Sequence, residues 1–175
     1  MSLFVSLLID GTLAAIAAVG FAVISDPSKH TIPFCALLAA SGHATRYSLM
    51  NFAGWDIMTA SFVGALVIGV LCIAFAYWLH TPTTTLYIPA LLPMIPGMYA
   101  YRTIFALVQF MRLTEGREQS MQYMLDFFSN GVTTFSVVFV MAVGASLPTL
   151  WLRKWCFSMT RTNRYKSLPH DNTNT

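Results

Sequence analysis

The sequence predicts an all-α protein, a polytopic bundle of membrane-spanning helices. Of its 175 residues, 56% are hydrophobic and only 10% are charged, whereas soluble domains average about 45–50% apolar and about 25% charged residues. Apolar runs of about 20 residues, long enough as helices to cross a bilayer core of about 30 Å, recur along the chain. These features exclude a soluble enzyme, a nucleic-acid-binding domain and a disulfide-stapled secreted fold. A chain this short predicts one bundle.

About five transmembrane spans are expected within a bundle of residues 1–152. Their approximate bounds are 3–24, 33–52, 57–79, 86–111 and 123–150. The first run has no basic leader and carries Asp10, so a cleaved signal peptide is the weaker interpretation. Pro33 suits the first turn of the second helix, and Asp56 is a suitable N-cap for the third. Small residues at Ala60-x3-Gly64 and Ala65-x3-Gly69 predict packing surfaces on the third span.

The fourth span is predicted to be discontinuous. A polar turn over Thr81–Thr85 precedes it, and the segment Pro89–Gly97 then places three prolines among apolar residues. Each proline removes a backbone donor and clashes with the preceding turn, so this segment cannot form one regular helix. A helical pattern resumes over 98–111. A polar loop over 112–122 is expected before the last span.

Charge placement predicts the topology. Five of the ten lysines and arginines lie in a polar tail of residues 153–175. An odd number of spans places the termini on opposite sides, and the positive-inside bias favours an external N-terminus and a cytoplasmic C-terminus, provided that the broken span crosses. A patch for anionic lipid or nucleic acid is the alternative for the tail, and we expect no nucleic-acid partner. The basic tail residues are Arg153, Lys154, Arg161, Arg164 and Lys166.

The proline segment is the first candidate site. Non-helical backbone at membrane depth is tolerated only where protein or water surrounds it, and transporters use such breaks to aim a helix N-terminus at an anionic group. We therefore expect free amides at Met98, Tyr99 and Ala100 after Gly97, with Arg102 one turn further on to pair with a carboxylate. The alternative is a proline-kinked helix packed on its neighbours, with Arg102 reaching the interface.

A second candidate site lies on the second span, where His43, Arg46 and Tyr47 share one helix face. A charge inside a membrane helix costs at least about 2.5–3.5 kcal/mol, so Arg46 must face the bundle interior, a cavity or an acidic partner. His43 suits a proton relay, although a core histidine bonded to a carbonyl is the alternative. The acidic candidates are Asp10 and Asp126, either of which could instead anchor its helix at the interface. The proton-coupling candidates are thus Asp10, His43 and Asp126.

The sequence shows no motif for disulfide bonds, metal binding or enzymatic catalysis. The three cysteines, Cys35, Cys72 and Cys156, show no CxxC spacing, so neither disulfides nor a metal site is predicted. No cofactor and no enzymatic activity are expected, because the sequence lacks a nucleophile elbow, a P-loop, an H-E-x-x-H motif and paired carboxylates. The chain also shows no internal repeat. Inverted-repeat transporters often need two such units, which suggests a missing partner.

Three stretches resemble the threonine/serine exporter family. They are Gly42–Arg46, Phe62–Gly69 and Ile88–Gly97 with the following Tyr101-Arg102. They are similar to the C-terminal half of these exporters, which also occurs as a separate small subunit, as in the two-subunit succinate exporter of enteric bacteria. The resemblance covers about residues 5–150.

The resemblance implies a proton-driven secondary transporter in the bacterial inner membrane. It implies a second five-span subunit as partner and the export of threonine, serine or a small carboxylate such as succinate. A structural or assembly subunit whose partner forms the path is the alternative, and a homo-oligomeric channel is a third possibility. The substrate-binding positions that it implies, together with those expected above, are His43, Arg46, Pro93, Pro96, Gly97, Met98, Tyr101 and Arg102.

Overall fold

The computed structural model describes residues 3–25, 29–112 and 117–152. Within these ranges the chain is all-α, as predicted. The basic tail of residues 153–175 lies outside the described residues. In chain order the elements are α1 (Leu3–Ile24), α2 (Ile32–Phe52), α3 (Ile57–Leu79), α4 (Thr83–Leu91), a 3-10 turn (Leu92–Met94), α5 (Gly97–Arg112) and α6 (Arg117–Trp151).

The helix ends follow local sequence signals. Pro33 lies in the first turn of α2, where its missing N–H costs nothing. Asp56 is the N-cap of α3, and its carboxylate accepts a hydrogen bond of 3.0 Å from the amide of Met58, which confirms the predicted cap. At the other end of α3, His80 adopts the left-handed conformation (φ +52°) that commonly terminates helices.

Two predicted non-helical segments are partly wrong. Thr83–Thr85 form the first turn of α4 rather than a polar turn. Thr83 is buried, and the thiol of Cys72 in α3 donates to its carbonyl at 3.2 Å, so packing outweighs the modest helix propensity of threonine. The predicted loop over 112–122 is also shorter, because α6 already begins at Arg117. Glu118 in the first turn of α6 favours this start through the helix dipole.

The contacts between helices place α5 at one side of the bundle, where it packs on α6 rather than on α1 to α4. α2 lies between α1 and α3, α3 packs on α6, and α5 packs on α6. α4 and the 3-10 turn lodge against α1, α2 and α3. Glycines allow the closest helix approaches: a Cβ at Gly69 of α3 would lie 2.8 Å from the carbonyl oxygen of Ala145 in α6. The small residues of α3 therefore form packing surfaces, as the sequence predicts.

The length and apolar composition of the helices support a membrane bundle. In the described part of the chain, three helices are long and apolar enough to cross a bilayer: Phe4–Ile24, Ile57–Leu79 and Glu118–Trp151. The bent pair Thr83–Met94 and Gly97–Arg112 also qualifies when taken together. α2 has 21 residues but carries His43 and Arg46, and it is not among them. The count of five spans, their bounds and the orientation of the termini stay predictions.

Candidate functional site

The discontinuity in the fourth span is real and falls at its prolines. α4 passes into the 3-10 turn, whose last residue is Met94, and Ile95 then takes an extended backbone (ψ +130°). α5 starts at Gly97, and its axis is bent by 55° from the preceding segment. The carbonyl of Met94 therefore lies where the helix stops.

A hydrogen bond joins α1 and α2 beside this break. Nδ1 of His43 lies 3.1 Å from Oδ2 of Asp10. His43 is only 6% exposed, and its position in α2 is about 16 Å along the axis from the first residue, which is near the middle of the helix. Because a carboxylate accepts hydrogen bonds, Asp10 fixes the proton of a neutral His43 on Nδ1. The structure thus brings together two of the three proton-coupling candidates.

The other ring nitrogen of His43 is buried without a partner. Among the described residues, Nε2 has no hydrogen-bond partner. The backbone carbonyl of Pro93 acts on the same ring. With Nδ1 protonated, Nε2 is the position that accepts a proton, and it is buried.

Arg46 reaches the broken segment directly. Its Nη1 donates a hydrogen bond of 2.7 Å to the carbonyl oxygen of Met94. The sequence led us to expect an acidic partner, a cavity or the bundle interior for this arginine. In the structure the acceptor is a backbone carbonyl, while the carboxylate of Asp10 acts on Arg46 at longer range. No other hydrogen bond of the guanidinium occurs within the described ranges.

Two glycines hold Met94 in place. The Met94 side chain is fully buried. A Cβ at Gly64 would lie 2.9 Å from Cε of Met94 and 2.9 Å from the carbonyl oxygen of Gly42, and a Cβ at Gly42 would clash with Ile68. We call Gly42, Gly64 and Met94 the glycine seat. It fixes the 3-10 turn against α2 and α3, so that the Met94 carbonyl lies within reach of Arg46.

The predicted residues of α5 do not join this cluster. Met98, Tyr101 and Arg102 are all exposed, and Tyr101 stacks on Phe105 with ring centroids 6.1 Å apart. The expectation of three free amides is wrong for two of them, because the amides of Tyr99 and Ala100 donate to the carbonyl of Pro96 at 3.1 and 3.2 Å. This is the first turn of an ordinary helix beginning after proline. Whether these residues bind substrate stays a prediction.

Asp126 also lies apart from the cluster. It is exposed on α6, in the half that packs on α5, and it forms no ion pair in the part of the chain that is described. Two surface grooves, of about 330 and 250 Å³, are apolar and border α3; they lie at Met58–Val63 and at Val70–Tyr77. Neither is lined by His43 or Arg46. In the described ranges, no group of three or more His, Cys, Asp or Glu residues is placed to hold a metal ion.

A protein-family model matches most of the chain. The family model described as "Threonine/Serine exporter, ThrE" matches residues 10–151. The chain belongs to the threonine/serine exporter family. No solved structure matches it. The match runs from Asp10 to Trp151 and so contains the Asp10–His43 hydrogen bond, Arg46 and the whole broken span of this exporter-family chain.

Sequence reasoning missed two parts of the candidate site. The first is the carbonyl of Met94, because the sequence shows that prolines free carbonyls but not which side chain takes them up. The second is the glycine seat, since Gly42 and Gly64 are separated by 22 positions and are paired only by the crossing of α2 and α3. The proline spacing was the signal available for the first, and none was available for the second.

Proposed function

We propose that this chain is a membrane subunit of a proton-coupled secondary transporter that exports threonine, serine or a related small carboxylate such as succinate. The family match carries the export role. The observation that carries the mechanism is the cluster of Asp10, His43 and Arg46 beside the broken span. Such intramembrane charges are costly, and in membrane proteins they mark substrate pathways and proton relays.

The Asp10–His43 pair is the proposed proton site. Histidine titrates near neutral pH, and Nε2 of His43 is free to accept a proton while Asp10 stabilises the cation that results. The charged groups that act on the ring are Asp10 from α1 and Arg46 from α2, whereas the 3-10 turn contributes the carbonyl of Pro93. Asp126 lies outside this group, so we assign coupling to Asp10 and His43.

Arg46 is the proposed anchor for the substrate carboxylate. A guanidinium presents five N–H donors in a planar fork that matches a carboxylate, and Arg46 uses one of them in the part of the chain that the structure describes. Threonine, serine and succinate all carry a carboxylate, so this contact suits the whole substrate class and does not select one member.

A second membrane subunit is the proposed partner. Arg102 of α5 and Asp126 of α6 are exposed and belong to helices whose other exposed residues are largely apolar. A charge that faces lipid is unfavourable, which supports a protein or water-filled surface opposite them. We propose a five-span partner in the bacterial inner membrane, with the N-terminus of this chain outside and its basic tail in the cytoplasm.

One observation favours a second candidate, a structural or assembly subunit. His43 and Arg46 both have partners within the chain, as expected of interhelical contacts that only stabilise a bundle. Reconstitution separates the two functions, because proteoliposomes that contain the partner alone would still transport if this chain were structural. Transport that requires both chains supports the proposal.

The proposed proton site is tested with Asp10→Asn in proteoliposomes that contain both subunits. We expect the pH-gradient-driven efflux of radiolabelled threonine or serine to be lost, while exchange of labelled for unlabelled substrate persists, because the amide cannot stabilise a protonated His43. Asp56→Asn is the matched control, since asparagine also caps helices and Asp56 lies outside the cluster. Proton-driven efflux by Asp10→Asn at the rate of Asp56→Asn would contradict the assignment.

A further inference from the structure

We infer that the hydrogen bond from Arg46 to the Met94 carbonyl is a latch that the carboxylate of the exported substrate opens. This inference rests on the proposed function, because it requires an exported carboxylate. It assigns Arg46 two alternative acceptors, and it makes Arg46 a positioning residue for the broken span as well as a contact for substrate.

The helix break supplies the acceptor of this hydrogen bond. In a continuous helix the Met94 carbonyl would accept the amide four residues ahead. Here the chain turns at Ile95 and Pro96, the amide of Ile95 donates to Leu92, and the Met94 carbonyl accepts from Arg46 instead. An unpaired carbonyl in hydrocarbon costs several kcal/mol, so this bond stabilises the bent form.

The segment before the latch packs on α2 and α3, whereas the segment after it packs on α6. The glycine seat holds the 3-10 turn against α2 and α3. Immediately afterwards Gly97 has open space around its Cα, with no atom within 4 Å of the position of a Cβ. In the described part of the chain, α5 packs extensively only on α6. Ile95–Gly97 is therefore the hinge between an anchored turn and a helix that belongs to the other half of the bundle.

A substrate carboxylate is a stronger acceptor than the carbonyl that Arg46 now holds. Hydrogen bonds between two ionised groups are shorter and stronger than those with one neutral partner, and arginine can bind a carboxylate with two parallel bonds. Asp10, the protein carboxylate that acts on Arg46, is already bonded to His43. An incoming carboxylate therefore competes with the Met94 carbonyl, and its binding frees the turn to move at the hinge.

The test measures the distance between α5 and α1 in the assembled exporter. Spin labels are placed at Ile104→Cys and Leu13→Cys, both on exposed side chains, in a cysteine-free background that still exports. Pulsed electron–electron double resonance is recorded with threonine and with threoninol, in which a hydroxymethyl group replaces the carboxylate. We expect threonine to shift the main distance and threoninol to leave it unchanged.

The second part of the experiment replaces the guanidinium of Arg46. The new side chain keeps a donor for the Met94 carbonyl but cannot bind a carboxylate through two parallel hydrogen bonds. In Arg46→Gln we expect no threonine-dependent shift and a KM for export raised roughly ten- to a hundredfold, the scale of hydrogen bonds to charged groups. Arg46→Lys should restore part of the shift, because it keeps the cation. Arg112→Gln, at the exposed end of α5, is the matched control and should shift as the parent does.

The outcomes separate the latch from the proposed function. Export of threonine by the parent with no threonine-dependent shift, or with the same shift in Arg46→Gln, would overturn the latch and leave the transporter assignment standing. An equal shift with threoninol would show that the carboxylate is not the trigger and would also overturn it. Failure of the assembled parent to export any small carboxylate would overturn the proposed function itself.

Discussion

The close packing at the glycine seat predicts that one methyl group added at Gly64 pushes α2 and α3 apart. In Gly64→Ala the new Cβ would lie 2.9 Å from the carbonyl oxygen of Gly42, a backbone atom that cannot rotate away, and 2.9 Å from Cε of Met94. Overpacking of this kind typically costs about 1–3 kcal/mol. The higher helix propensity of alanine returns up to about 1 kcal/mol. With the full propensity gain, we therefore expect a net loss of stability of up to about 2 kcal/mol.

The matched control for this substitution is Gly20→Ala in α1, because a Cβ there meets nothing within 4 Å. The propensity gain is common to both variants, so the difference between them isolates the steric cost, about 1–3 kcal/mol. Unfolding in mixed micelles, followed by tryptophan fluorescence, measures this difference, since Trp55 adjoins the start of α3. Export should also fall in Gly64→Ala as Met94 is displaced from Arg46. Equal stability of the two variants would refute the close approach of α2 and α3.

Two further predictions concern α3. Gly144→Ala places a Cβ 2.8 Å from the carbonyl of Phe62, so it should destabilise the contact between α3 and α6 by about 1–3 kcal/mol in the same unfolding assay, and a value equal to that of Gly20→Ala would contradict this packing. Asp56→Ala removes the cap of α3 and should cost about 0.5–2 kcal/mol, while Asp56→Asn should cost little; equal losses in the two variants would show that the cap is not what matters.

The helices of the bundle were largely predictable because their signals are local. The helices α1 and α3 have the bounds expected from their apolar runs, and Asp56 caps α3 as its residue type indicates. The start of α4 was not predictable in this way. Thr83 has a modest helix propensity, and only its burial against Cys72 of α3, a contact between separate helices, makes the turn helical.

The candidate site was predictable in its residue types but not in its pairing. Arg46 had to find a partner inside the bundle, and Asp10 was one of two acidic candidates. The sequence could not show that Asp10 pairs with His43 while Arg46 takes a carbonyl, because those choices depend on how α1, α2 and the 3-10 turn meet. Nor could it show that α5 turns away with α6, which leaves Arg102 and Asp126 outside the cluster.

The cluster joins two features that are each unfavourable in lipid. A guanidinium without a contacting acid and a carbonyl without a backbone donor both carry a desolvation cost, and each provides what the other lacks. Because Arg46 donates to the Met94 carbonyl, each group has a hydrogen-bond partner, and Asp10 remains available to His43. The prolines therefore do more than interrupt a helix: they create an acceptor for an arginine beside a histidine. A neutral carbonyl leaves the charge of Arg46 without a contacting counter-charge, and in the proposed latch the substrate carboxylate would supply it.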